Sequence, residues 1–257
     1  MATFLTLKEV IKVRNIKLTI EYDGKDFNGW QKQPMKLNIQ GTIEQAIKQI
    51  TGEDVNLNAS GRTDAGVHAL GQVANFKTNS KIPIEKFAIA INSKLKRSIV
   101  IKKAEEVDER FHSRLSCKRK TYRYIINNSP EGTAIYRNLE THIPQKLDVE
   151  KMKKAVKYFE GEHDFKAFKA SGTSSKSSIR TIYEANVYQE NEKIMIELTG
   201  NGFLYNMVRI IAGTLVEVGF GKLEPEKIPE IIQEEKRENA GKTLPPNGLY
   251  LVKVMYS

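Results

Sequence analysis

The chain repeats a helix, and the elements around it, at an offset of 109 residues. Ile43, Ala46, Ile47 and Ile50 fall at the spacing of one apolar helix stripe. Adding 109 to each number gives Met152, Ala155, Val156 and Phe159, a second stripe of the same spacing. The Gly52-Glu53 that closes the first helix recurs as Gly161-Glu162. Two amphipathic helices often share a stripe by chance, so the flanking elements carry the argument. Before the first helix, Ile16, Leu18, Ile20 and Tyr22 alternate with Lys17, Thr19 and Glu21, the period of a half-buried strand. Asp23-Gly24 then reads as a turn. Thr42, with Gln45 three residues on, predicts the helix N-cap. Strands follow at 55–59 and 71–77, then a helix at 84–96. The second half runs helix 149–159, strands 181–188 and 193–198, helix 206–218 and a last strand at 249–256. Each half reads as strand, helix, two strands, helix, strand, the split βαβ or ferredoxin-like arrangement. The expected class is α+β. Residues 1–15 read as an extension, 16–109 as the first ferredoxin-like half and 110–257 as the second.

The 257 residues are enough for two cores of ordinary size, and 40% hydrophobic with 28% charged residues argues against disorder. No run of about 18 apolar residues is present, so no membrane span is expected. The N-terminal stretch has no long apolar core or small-residue cleavage site, so no secretory signal is expected. One cysteine, Cys117, allows no intrachain disulfide and suits a reducing cytoplasm.

The formal net charge is +10, which favours a polyanionic partner. Part of that excess is concentrated. Six basic residues and no acid lie between Arg110 and Arg123, with Tyr122 and Tyr124 on one face of a strand. Four more, Lys166, Lys169, Lys176 and Arg180, lie between Phe165 and Tyr183, a stretch that reads as a long flexible loop. Acid-free basic segments with hydroxyls and aromatics suit phosphate contacts and base stacking. Each alone is equally an ordinary solvated surface. Residues 224–238, by contrast, mix acids and bases around Ile228, Ile231 and Ile232 as a surface helix does.

No phosphate-binding glycine loop, dinucleotide fingerprint, zinc spacing or serine-hydrolase elbow occurs, so no cofactor or metal is expected. The sharpest local feature is Ser60-Gly61-Arg62-Thr63-Asp64-Ala65-Gly66-Val67-His68. Asp64 sits on a tight turn between two predicted strands, flanked by glycines. A carboxylate on a short loop held by a sheet suits nucleophilic or acid–base chemistry. It equally suits a turn in which Asp64 only bonds nearby backbone N–H groups. Arg209 lies between Val208 and Ile210 on a mostly apolar helix, a position that calls for a carboxylate partner.

SGRTDAGVHALGQVANF resembles the signature of the tRNA pseudouridine synthase A family. LTIEYDGKDFNGWQKQP, IQGTIEQAI, FHSRLSCKRKTYRYII, GEHDFKAFKASGTSSKSSIRTI, GNGFLYNMVRIIAGTLVEVGFGK and AGKTLPPNGLYLVKVMY are similar to the family's other segments, in order. The resemblance covers the chain from about Ile16 onward. It implies two ferredoxin-like halves whose mainly antiparallel sheets join around a central cleft. It also implies a homodimer that isomerises uridine at positions 38, 39 and 40 of the tRNA anticodon stem-loop without cofactor or metal. On this resemblance Asp64 matches the catalytic aspartate and Arg209 its basic partner. Tyr122 matches the tyrosine that stacks on the target base, and Arg62 an arginine of base flipping. The basic loop supplies Lys176 and Arg180 as candidate phosphate contacts. Leu115, Cys117 and Leu244 depart from the family pattern. The alternatives are a pseudouridine synthase with other RNA targets and a catalytically silent RNA-binding protein on the same fold.

Overall fold

A computed structural model of the chain describes residues 13–172 and 177–257. The first half forms β1 (Arg14–Tyr22), α1 (Ile39–Thr51), a two-residue β2 (Asn58–Ala59), β3 (His68–Thr78), α2 (Ile84–Asn92) and β4 (Ile99–Val107). The second forms β5 (Arg119–Asn127), a two-residue β6 (Thr141–His142), α3 (Val149–Val156), β7 (Gly161–Asp164), β8 (Ile179–Glu190) and β9 (Lys193–Gly200). It ends with α4 (Met207–Gly219), α5 (Ile228–Glu234) and β10 (Leu249–Met255).

The alternation of β1 is realised as expected, with Ile16, Leu18, Ile20 and Tyr22 buried. The repeated helix stripes face the same way. Ile43, Ala46 and Ile47 of α1 are buried, as are Met152, Ala155 and Val156 of α3, with Phe159 in the 3₁₀ turn that follows. In the first half the strand order is β4-β1-β3, with β2 on the far side of β3, and every pairing is antiparallel. In the second half it is β10-β5-β9-β8, again antiparallel, extended by β7. Both halves therefore place their strands in the order fourth, first, third, second, which is the split βαβ topology.

The two sheets fuse into one. β2 is short and pairs with β3 only at Ala74 and Asn75. That leaves the edge of β3 at His68 and Ala69 open, and β10 fills it in parallel through Tyr250 and Leu251. An unpaired edge inside a protein is unfavourable, so the truncated β2 is what permits the joint. The ends of β3 and β5 are thereby brought into one sheet, with β10 between them.

Several local expectations are corrected. Asn38, not Thr42, caps α1: its Oδ1 accepts from Gly41 N–H at 2.8 Å, while Thr42 Oγ1 donates to the Asn38 carbonyl at 2.7 Å. The strand β1 begins at Arg14, and Asn15 is buried, its Nδ2 donating to the Asp108 and Phe111 carbonyls. Helix α2 stops at Asn92 because that side chain bonds both main-chain groups of Ile101 on β4. The stretch from 165 is not loop throughout, since Phe165, Ala167 and Phe168 are buried and Phe159 meets Phe168 edge to face at 5.1 Å. Residues 224–238 form the short α5 between two 3₁₀ turns. Among the described residues no helix is long and apolar enough to cross a membrane.

Candidate active site

The loop from Ser60 to Gly66 joins β2 to β3 and is tied down on both sides of Asp64. On its entry side, Ser60 N–H donates to the Val73 carbonyl at 2.8 Å. Gln72 Nε2 donates to the Gly61 carbonyl at 2.9 Å and Gln72 Oε1 accepts from the Ser60 hydroxyl at 2.7 Å. On its exit side, Trp30 N–H donates to the Thr63 carbonyl at 3.0 Å and the Tyr22 and Thr63 hydroxyls share a 2.7 Å bond. The loop carrying Trp30 approaches closely because Gly29 adopts a left-handed conformation (φ 81°) and has no side chain. A Cβ there would lie 2.6 Å from the Thr63 carbonyl oxygen.

This tethering explains the state of the Asp64 carboxylate. Its backbone carbonyl accepts from Val67 N–H at 3.2 Å, but its side chain accepts no hydrogen bond among the described residues. The turn reading of Asp64 is therefore overturned: the backbone makes the turn and the carboxylate is left uncommitted. The side chain is half-buried, and burial raises its pKa above the usual carboxylate range. The Arg209 guanidinium opposes that shift.

Arg209 belongs to α4 and makes no direct ion pair with Asp64. Its Nε donates to the Leu244 carbonyl at 2.6 Å and its Nη1 to Asn206 Oδ1 at 2.7 Å. The expected carboxylate partner is thus replaced by two neutral oxygens, with Asp64 near enough to feel the charge. Asn206 itself is left-handed (φ 59°), an uncommon state for a non-glycine residue. The segment after Ala240 lies along α4 and continues toward the Asp64 loop, where Pro246 fills the space beside Gly66.

Tyr122 lies on β5 on the same strand face as Tyr124, opposite Leu198 and Leu251. Its ring is 8% exposed and meets Phe203 edge to face at 5.1 Å. Its hydroxyl has no hydrogen-bond partner among the described residues. Burial raises its pKa strongly, and Tyr22 and Asp64 push it further the same way. Tyr22 is itself pushed up to about 12, chiefly by burial. Asp64, Tyr122 and Arg209 are thus drawn together by three separate elements: the β2–β3 loop, β5 and α4.

The other candidates are more dispersed. Arg62 is exposed, two residues from Asp64, and makes no hydrogen bond or ion pair among the described residues. Arg180 opens β8, its Nη1 donating to the Ser177 and Ile179 carbonyls. Lys176 lies outside the described residues. Sequence reasoning passed over Lys120, whose Nζ donates to the Ser60 carbonyl at 2.6 Å across the joint between halves. The available signal was its spacing of two from Tyr122, which puts both on one strand face. It also passed over His68. That ring is buried and stacked on Tyr250 at 4.8 Å, with Nδ1 accepting from Gly24 N–H and Nε2 donating to the Asn138 carbonyl. Among the described residues no buried side-chain polar atom lacks a hydrogen-bond partner, so the uncommitted Asp64 carboxylate and Tyr122 hydroxyl are open to solvent, and so to an incoming group, which suits nucleophilic or proton-transfer chemistry.

Comparison with known proteins gives one consistent result. A family model described as tRNA pseudouridine synthase matches residues 18–115 and 155–257. The chain is 57% identical over 244 residues to tRNA pseudouridine synthase A of Caldicellulosiruptor bescii, spanning 95% of this chain and 100% of that one. It is 53% identical, with the same coverage, to the protein of that name from Acetivibrio thermocellus. It is also 53% identical, again with that coverage, to tRNA pseudouridine synthase A 2 of Clostridium perfringens.

Proposed function

The chain belongs to the tRNA pseudouridine synthase family, and on that premise we propose that it isomerises uridine to pseudouridine at positions 38, 39 and 40 of the tRNA anticodon stem-loop, with Asp64 as the group that breaks the N-glycosidic bond. The chain is an isomerase acting on tRNA. The finer reading adds the positions, the residues and the setting. Residues 16–109 are the half carrying Asp64, and 110–257 the half carrying Tyr122 and Arg209.

The reaction conserves every atom. The bond from C1′ of the ribose to N1 of the base breaks, the base turns, and C1′ bonds to C5. C5 then gives up its proton and N1 takes one. No oxidant or cofactor is required by that balance. A carboxylate suits the step because it stabilises or traps a sugar cation. Attack on the sugar, addition to the base and removal of a sugar proton are the three roles open to it. Arg209 opposes the effect of burial on Asp64 and so favours the ionised form. Tyr122 presents a ring for stacking on the turned-out base, and burial keeps its hydroxyl protonated, a donor in the resting enzyme. A uridine stacked in a stem-loop has to leave the helix to reach Asp64. Arg62 is placed in the role of bracing the gap, with Lys176 and Arg180 on backbone phosphates. The protein acts as a cytoplasmic homodimer in this reading, and sedimentation of the free enzyme tests that state.

The single observation that carries the reading is the uncommitted Asp64 carboxylate on a firmly tethered loop. The test is Asp64→Asn. An unmodified tRNA transcript is incubated with the variant and pseudouridine is mapped at each position. The expected result is no pseudouridine at 38, 39 or 40, with tRNA affinity nearly intact. Formation at the wild-type rate would remove Asp64 from the chemistry. Modification by the wild-type protein at other positions only would favour the alternative of different RNA targets.

A further inference from the structure

Two asparagines stand at the starts of helices, and they are used in opposite ways. Asn38 precedes α1 with an extended backbone (φ −145°), and its Oδ1 accepts from Gly41 N–H at 2.8 Å, the ordinary arrangement of an N-cap. Asn206 precedes α4 with a left-handed backbone (φ 59°), and its side chain caps no N–H of the helix. Its Oδ1 instead accepts from Arg209 Nη1 at 2.7 Å. The residue therefore gives up the stabilisation of a cap and holds a conformation uncommon for residues other than glycine. If a left-handed turn were all that the chain required at 206, glycine would meet it without strain. The side chain calls for another reason, and its one hydrogen bond among the described residues supplies it.

That bond is one of two that hold the Arg209 guanidinium. The other runs from Nε to the Leu244 carbonyl at 2.6 Å. The two acceptors come from separate segments, the turn before α4 and the stretch after Ala240, so the planar group is gripped along two of its edges. Both acceptors are neutral. A carboxylate in either place would hold the guanidinium as firmly but would take up its charge in an ion pair. Nη2 donates to nothing among the described residues, and since no buried side-chain nitrogen there lacks a partner, it is open to solvent. We propose that Asn206 is a positioning residue of the isomerisation: it fixes Arg209 through a neutral acceptor, so that the guanidinium is aimed from α4 while its charge and its remaining donors stay available at the site. The proposal rests on the reading of Arg209 as part of that site and deepens it.

The test reads rate and affinity separately. The single-turnover rate of pseudouridine formation at saturating enzyme, and the Kd for an unmodified tRNA transcript, are measured for wild type, Asn206→Gly, Asn206→Asp, Arg209→Met and the double variant Asn206→Gly/Arg209→Met. Glycine keeps the left-handed backbone, so Asn206→Gly should melt close to wild type. Its rate should fall about tenfold, with Kd nearly unchanged. Asn206→Asp restores an acceptor but pairs Arg209 with a carboxylate, so its rate should stay low. Arg209→Met should slow the reaction at least as much, and adding Asn206→Gly to it should cost nothing further, because the asparagine acts only through the arginine. A wild-type rate in Asn206→Gly or in Asn206→Asp, beside a slow Arg209→Met, would overturn the proposal and leave the reading of Arg209 standing. Additive losses in the double variant, or a slow Asn206→Gly that melts well below wild type, would make the residue merely structural and overturn it as well. A wild-type rate in Arg209→Met would overturn both the proposal and the reading beneath it.

Discussion

Replacing Gly213 with alanine separates helix propensity from tertiary fit, because the two predict opposite signs. In an ordinary helix interior the exchange stabilises by about 1 kcal/mol. At 213 the added Cβ would stand 1.8 Å from the Lys242 carbonyl oxygen and 2.9 Å from its carbon. Real Cβ atoms essentially never come closer than 3.0 Å, so the 240–246 segment has to move off α4 by more than 1 Å. Four bonds hold it there. Gly241 N–H donates to Thr214 Oγ1 at 2.8 Å, and Leu244 N–H to the Arg209 carbonyl at 3.3 Å. Arg209 Nε donates to the Leu244 carbonyl at 2.6 Å, and the Tyr124 hydroxyl to the Pro245 carbonyl at 2.7 Å. Each neutral bond contributes about 1 kcal/mol, and the guanidinium bond about 1.5–3 kcal/mol. Losing two or three of them outweighs the helix gain, for a net destabilisation of about 2–4 kcal/mol. Urea unfolding followed by circular dichroism measures it. Because the broken bonds include the one that aims Arg209, the rate of pseudouridine formation should fall even far below the unfolding midpoint. A variant as stable as wild type would refute the packing argument. A destabilised variant with full activity would refute the link from this segment to the site.

Two further outcomes are expected alongside the Asp64 test. Arg209→Met removes the charge that lowers the Asp64 pKa, so that pKa should rise further. The acidic limb of the pH–rate profile, measured in single turnover, should then move to higher pH, and an unmoved limb would show that Arg209 does not act on Asp64. Burial lowers the pKa of His68 from its ordinary 6.5, even though Asp23 and the carbonyls of Asn138 and Asn247 favour the charged form. Its contribution to stability is therefore present above about pH 6.5 and is lost as pH falls through the window below it. His68→Gln should flatten that part of the urea-midpoint profile, and an identical pH dependence in both proteins would contradict it.

The periodicities carried a large part of this. The alternation at Ile16–Tyr22 and the two matched helix stripes are local properties of covalent spacing, and the strand order observed in each half follows from them together with the split βαβ rule. Element ends were less legible. Asn38 caps α1 because its backbone is extended there (φ −145°), and Asn92 ends α2 because its amide is drawn to β4. The Asn38 bond to Gly41, three residues on, has ordinary N-cap spacing, whereas Ile101, nine residues from Asn92, is not a neighbour that spacing rules detect. The Asp64 loop stood out as a motif, yet its residues alone were equally consistent with a side-chain-capped turn.

By itself the sequence determined the duplicated α+β architecture, the polyanionic partner class and the residues to watch. It did so because burial periodicity, turn chemistry and charge are written residue by residue. Only the tertiary structure decided that the Asp64 carboxylate accepts no hydrogen bond among the described residues, that Arg209 is aimed by Leu244 and Asn206, and that Lys120 reaches across the joint to Ser60. These states depend on distances between groups tens of residues apart in the chain. What sets those distances is the two-residue β2, which leaves one end of β3 open and allows β10 to join two half-sheets into one.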